Sequence, residues 1–295
     1  MLQSARLPLR TRAGAYVALT KPRIIELLLV TTVPTMVVAA RGLPSGWLVL
    51  NTVLGGTLAA GGANAINMYV DRDIDRLMKR TRQRPLVTGV IPAGHAFAFA
   101  VGLEVLAFAW LWAWANLLSA VLAVAACLFY VFVYTLWLKR TSTHNIVIGG
   151  AAGAVPVLVG WSAVTGGLSW APLVLFGVIF YWTPPHFWAL AMRYREDYVA
   201  ADVPMLPAVA SARAVASRIL VYSGLLWGLS LLFSPVAGMG RLYLGAAVLL
   251  GGVFMWHSYA LFRAGTPDTA MRLFTYSITY ITLLFSAMAA DQLLR

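Results

Sequence analysis

Asn67, Asp71 and Asp75 stand at i, i+4 and i+8 in the run Asn67-Met-Tyr-Val-Asp71-Arg-Asp73-Ile-Asp75. On a helix they share one face, about 6 Å apart per step. An amide and two carboxylates in that stack suit a magnesium ion, which takes one or two carboxylates and fills its shell with substrate phosphate and water. Asp73 points the other way, and Arg76 at i+3 is its expected partner. A basic run follows at once, with Arg76, Lys79, Arg80, Arg82 and Arg84. Arg and Lys beside a metal-binding carboxylate pair are what a diphosphate needs. A solvated helix end tied by salt bridges is the plainer alternative. The amide aligned one turn deeper argues against it.

A second acidic segment reads Tyr194-Arg-Glu196-Asp197-Tyr198-Val-Ala-Ala-Asp202. Two acidic sites facing each other could hold metal on both sides of one diphosphate, with Asp197 and Asp202 as candidate ligands. Simple pairing of Glu196 or Asp197 with Arg193 or Arg195 would also account for them. Lys139 and Arg140 are further candidate diphosphate ligands, though each could instead mark membrane orientation.

These residues sit in a chain built for lipid. Of 295 residues 61% are hydrophobic and 11% charged, and mean hydropathy is +0.79. Soluble domains carry roughly 25% charged residues. The composition therefore predicts an all-α polytopic membrane protein, one domain over residues 1–295, with no nucleic-acid surface. Cys127 is the single cysteine, which excludes a disulfide framework and a multi-cysteine metal site.

Nine apolar segments approach the length that hydrocarbon requires: 24–40, 47–66, 96–115, 117–138, 146–163, 171–191, 215–233, 242–262 and 273–293. Residues 1–20 read as a basic cytoplasmic tail. With nine spans around a central cavity, 19 of the 22 Lys and Arg fall on the N-terminal side and 3 on the other. The positive-inside rule then puts the N-terminus inside and the C-terminus outside. Both acidic segments fall in the long inner loops, after spans two and six. Pro34, Pro156, Pro184 and Pro185 fall within spans. Tyr130, Phe132 and Tyr134 on span four and Phe180, Tyr181 and Trp182 on span six offer ring faces that could meet a cation, or could equally be packing or interface aromatics.

The spacing Asn67-xxx-Asp71-xxx-Asp75 after the second of nine helices, with an acidic loop after the sixth, resembles the UbiA-type intramembrane prenyltransferases. The blocks "LTKPRI", "NMYVDRDIDRLMKRTRQRPLVTG", "YTLWLKRTSTHNIVIGGAAGAVPVLVGW" and "YWTPPHFWALAMRYREDYVAADVPMLP" are similar to the haem-farnesylating branch of that family. The resemblance implies Mg2+-dependent transfer of a farnesyl group from farnesyl diphosphate to a vinyl group of haem B, in a bacterial cytoplasmic membrane. It carries metal binding to Asn67, Asp71, Asp75 and Asp197, with Tyr194 beside them as a candidate catalytic residue. Family members space the second acids four apart; here Asp197 and Asp202 are five apart. Lys79, Arg80, Arg82, Arg84, Lys139 and Arg140 would hold the diphosphate. His186, His144 and Trp188 are the candidate haem contacts. A downstream haem A synthase or a terminal oxidase assembly is the implied partner. A quinone precursor such as 4-hydroxybenzoate is the rival acceptor. A polytopic transporter or an assembly chaperone is the rival from outside enzymology.

Overall fold

A computed structural model describes residues 9–295. The described residues are helical, joined by turns and loops. The helices are α1 (Leu9–Thr20), α2 (Pro22–Ala39), α3 (Gly46–Val70), α4 (Arg72–Asp75), α5 (Ala93–Trp114), α6 (Leu117–Thr141), α7 (Asn145–Thr165), α8 (Trp170–Arg193), α9 (Arg195–Ala200), α10 (Leu206–Val209), α11 (Ala212–Ala237), α12 (Arg241–Ala264) and α13 (Pro267–Leu293).

Seven of these, α5 to α8 and α11 to α13, are long and apolar enough to cross a membrane. They coincide with the last seven expected spans. The first two expected spans are also helical, as α2 and α3; α3 falls short on composition. In α3 the reason is visible: its glycines and Asn51, Thr52, Thr57, Asn64 and Asn67 dilute the apolar residues. Several of those small and polar residues line a cavity rather than face lipid.

Residues 9–20 form α1, which packs on α3 and buries Ala15 and Leu19, one turn apart. Arg6 lies outside the described residues.

The helices close a ring. α3 packs on α5, α5 on α6, α6 on α7, and α7 on both α8 and α2. α8 packs on α11 and α13, α11 on α12, α12 on α13, and α13 returns to α2. α2, α3, α6, α7, α8 and α13 enclose a cavity of about 560 Å³. Its size is within the usual range for a small-molecule site.

Close packing depends on small residues, as between helices in lipid. A Cβ on Gly160 would lie 2.9 Å from the Thr32 carbonyl oxygen, so α2 and α7 meet backbone to backbone there. A Cβ on Gly62 would meet the Glu104 carboxyl at 2.6 Å, which places that mid-span acid behind the cavity wall.

Part of α6, Phe129–Leu138, is a π-helix. The Thr135 hydroxyl donates to the Tyr130 carbonyl five residues back, at 2.8 Å, which suits the wider turn. Such turns recur at functional sites. Nothing in the sequence pattern marked this one.

Gly160→Ala is expected to destabilise by about 1–3 kcal/mol, because the obstructing atom is backbone and cannot rotate away. Thermal unfolding in detergent measures it. A melting temperature equal to the parent's would mean the α2–α7 approach is looser than described.

Candidate active site

Asn67 ends α3, and Asp71 follows as its C-cap before α4 resumes the helix. The backbone ladder runs through the join: Asp71 N–H donates to the Asn67 carbonyl at 2.9 Å and Asp75 N–H to the Asp71 carbonyl at 2.8 Å. The one-face reading of Asn67, Asp71 and Asp75 therefore holds across the break, and all three are buried. Asp73 is exposed, as its spacing predicts, but its partner is not Arg76. Arg140 forks onto it with Nη1 and Nη2 at 2.7 and 2.8 Å. These bonds hold the Asp73 carboxyl down at about 2.

Buried carboxylates must be paired. Asp71 takes Lys139 Nζ and, at 2.8 Å, Asn67 Nδ2. Asp75 takes Arg84 Nη1 at 2.6 Å. The wider turn in α6 sets Thr135 and Lys139 against this face, and Thr135 Oγ1 accepts from Asn67 Nδ2 at 3.1 Å. One oxygen is left over. Asp71 Oδ1 is buried with no hydrogen-bond partner, and Arg140 comes no closer than 3.8 Å.

Lys21, one of the 19 cations counted on the N-terminal side, lies in the site. It lies between α1 and α2 with φ 52°, in the left-handed region. α3 grips this turn: Asn64 Nδ2 donates to the Thr20 carbonyl at 3.1 Å, and Asn67 Oδ1 accepts from Lys21 Nζ at 2.8 Å. Burial, then Arg84 and Lys139, push the Lys21 ammonium down to about 7, against the pull of Asp71 and Asp75. Pro22 marks the break between the two helices, but nothing in Thr20-Lys21-Pro22 says that the lysine turns inward.

The two acidic loops meet. Asp197 accepts from the backbone N–H groups of Lys79 and Arg80, at 3.1 Å each. Its expected partners Arg193 and Arg195 are not used; Arg195 donates to the Pro207 carbonyl at 2.9 Å, and Glu196 pairs with Lys79 at 3.6 Å in full solvent. The Arg80 guanidinium lies over the Tyr194 ring, 5.6 Å from its centroid. Asp202 faces solvent with φ 51°, a conformation Asp tolerates in turns. Among the described residues no three His, Cys, Asp or Glu side chains converge as a ready metal site.

The cavity opens onto this cluster. Lys21, Asn67, Asp75, Arg80, Arg84 and Lys139 line its charged end. Arg82 is exposed and Lys79 faces Glu196, so neither reaches it. Tyr130, Tyr134 and Trp182 also line the cavity, whereas Phe132 lies 59% exposed on the outside of α6 and Phe180 and Tyr181 pack away.

A second arm is aromatic. His186 stacks between Trp182 and Phe274, with centroids 4.2 and 4.6 Å away. Its Nδ1 shares a 2.6 Å hydrogen bond with Ser277 Oγ, and Trp182 Nε1 donates to the Ser277 carbonyl at 2.8 Å. α13, which offered no motif in sequence, thus supplies the support for His186. The other two expected haem contacts are not brought here. His144 is exposed at the start of α7, and Trp188 is fully buried against Tyr222, behind the cavity wall.

A helical ring around one cavity, with stacked carboxylates and cations at one end, defines an intramembrane prenyltransferase architecture. The pattern of the UbiA prenyltransferase family matches residues 28–285, and the chain belongs to that family. Among its relatives, a protein named Protoheme IX farnesyltransferase from a Parafrankia species is 55% identical, covering 96% of this chain and 91% of that one. One of the same name from Clavibacter sepedonicus is 54% identical, covering 96% and 94%. The structure of a digeranylgeranylglyceryl phosphate synthase superposes with TM-score 0.80 at 17% identity, covering 97% of this chain and all 100% of the other. A UbiA homologue from Archaeoglobus fulgidus, solved with GPP and Mg2+, gives TM-score 0.65 at 17% identity, covering 93% and 99%.

The geometry separates two arginines that the sequence ranked together. Removing Arg84 leaves Asp75 buried and unpaired, so Arg84→Met is expected to cost roughly 3 kcal/mol. Arg82→Ala is expected to stay within about 0.5 kcal/mol. Thermal unfolding of both variants in detergent compares them, and equal losses would contradict the pairing.

Proposed function

We propose that this protein transfers the farnesyl group of farnesyl diphosphate to a vinyl group of haem B, with addition of water, giving haem O and diphosphate. One observation carries the reading. A single cavity joins a cationic end that suits a diphosphate to an aromatic arm, with His186 at its centre, that suits a porphyrin edge. The relatives named Protoheme IX farnesyltransferase, at over half identity and nearly full coverage, favour this acceptor over a quinone precursor.

Mg2+ fits the residues present. Asp71 and Asp75 sit one turn apart, and the unpartnered Asp71 Oδ1 is an acceptor in want of a cation. Asp71 and Asp75 would hold the ion together with the substrate's phosphates. Bound there, it would neutralise charge that builds on the departing diphosphate. Asn67 joins it only by giving up Lys21, and Asp197 only by releasing the Lys79–Arg80 turn. Asp202 would join only by leaving its exposed turn.

The chain's own groups account for the remaining steps. Lys21, Arg80, Arg84 and Lys139 bind the diphosphate, and Lys21 turns from the Asn67 amide to a phosphate oxygen. The bond between farnesyl C1 and oxygen breaks, and its electron pair leaves with the diphosphate. Tyr130, Tyr134 and Trp182 present ring faces to the allylic cation. The haem vinyl carbon bonds to C1, the resulting cation beside the ring takes water, and a proton departs. The dry walls of Ala, Gly and Val keep water from capturing the first cation. His186, fixed by Ser277, holds the haem. We place the charged end at the inner face of a bacterial cytoplasmic membrane, with nine crossings, N-terminus inside and C-terminus outside. The lopsided distribution of Lys and Arg supports that orientation.

The test is purified protein with Mg2+, farnesyl diphosphate and haem B, the product followed by mass, with 4-hydroxybenzoate as a competing acceptor. Haem O is expected. Its absence, or prenylation of the phenolic acid instead, would refute the assignment. Asp71→Asn should reduce turnover at least a hundredfold while the protein still inserts and unfolds cooperatively.

A further inference from the structure

The contacts of Ser277 decide where the proton of His186 sits. His186 Nδ1 lies 2.6 Å from Ser277 Oγ, and Ser277 Oγ lies 2.6 Å from the Phe274 carbonyl oxygen. A carbonyl only accepts, and two oxygens that close need a proton between them. The single hydroxyl proton of Ser277 therefore goes to Phe274. Ser277 Oγ must then accept from His186, which puts the imidazole proton on Nδ1. The neighbouring indole faces the same way, since Trp182 Nε1 donates to the Ser277 carbonyl at 2.8 Å. Two stacked rings thus turn their N–H edges to one residue of α13.

Nε2 is the nitrogen left over. It lies across the ring from Nδ1, on the side away from Ser277. Among the described residues it has no hydrogen-bond partner, yet it is not sealed in, because His186 borders the cavity. The carbonyls freed by Pro184 and Pro185 do not engage the ring, and no carboxylate among the described residues pairs with it. An imidazole with Nδ1–H bonded and Nε2 bare is arranged as a metal ligand, because the bond at one nitrogen fixes which other nitrogen binds. An ionised propionate does not suit it, having no proton to offer a lone pair. We infer that His186 Nε2 is an axial ligand of the haem iron, and that Ser277 is the positioning residue that sets its tautomer. The iron then anchors the macrocycle, and with it the distance of each vinyl group from α8. The site recognises its acceptor by the metal as well as by the ring. The inference rests on haem as the acceptor and deepens that reading.

The test uses the full chain in detergent, without farnesyl diphosphate. Haem B, zinc protoporphyrin IX and metal-free protoporphyrin IX are the probes. Haem B and the zinc compound are expected to bind at least about tenfold tighter than the metal-free ring. Resonance Raman spectra of the reduced haem complex should show an iron–histidine stretch. His186→Gly should lose that stretch and regain an iron–imidazole one when imidazole is added. Ser277→Ala should weaken haem binding about tenfold or more, and leave binding of the metal-free ring within about threefold. Equal binding of haem B and the metal-free ring by the parent overturns the inference without any variant. So does an iron–histidine stretch that survives in His186→Gly. Haem ligated through His186 but never converted to haem O would leave this inference standing and sink the transfer reading.

Discussion

Two carboxylates held out of water set the terms for the rest of this molecule. Asp75 lines the end of an apolar cavity and Asp71 is fully buried one turn away, where an unpaired charge is ruinous. Each is answered by a cation from a distant part of the chain: Lys139 at the end of α6 and Arg84 in the loop before α5. Asn67 ties Asp71 to Lys21 and Thr135 as well. α3 and α6, which supply Asn67, Thr135 and Lys139, are also walls of the cavity, so closing the ring brings the charged end together.

The loops obey the same logic. Asp197 could have remained a free acid at the rim; instead it satisfies two backbone N–H groups of the opposite loop. That contact joins segments more than a hundred residues apart in sequence, and with Arg80 over Tyr194 it fixes the floor beneath the cavity mouth. A carboxylate with two backbone donors is well matched in energy and geometry.

Periodicity made much of this legible. Spacing alone put Asn67, Asp71 and Asp75 on one face and sent Asp73 outward, because a helical period is a local property. Hydropathy found the long helices for a similar reason. What sequence could not supply was the choice among equivalent partners. Arg82 and Arg84 look alike in a string, and only the turn between Met78 and Pro85 decides which one reaches Asp75. Lys21 looked like one more interfacial charge until α1 and α3 were seen to bury it. His144 and Trp188 lay in distinctive blocks, yet one faces solvent and the other packs behind the wall. The support for His186 comes from Ser277, on a helix that carries no motif. The wider turn in α6 had no signature at all.

The Lys21–Asn67 hydrogen bond bears on the charge balance at the cavity end. A pair of bare aspartates at a membrane face would present a strong negative potential and would collect whatever divalent ion was abundant. Here the charges are internally balanced, with Lys139 on Asp71, Arg84 on Asp75 and Lys21 on the Asn67 amide, while Asp71 Oδ1 keeps no hydrogen-bond partner. An arriving metal alone meets resident counter-ions, and an arriving phosphate alone meets resident acids. In the proposed reaction only the two together would replace both sets of contacts at once, so the arrangement would answer to the metal–diphosphate pair and to neither part alone.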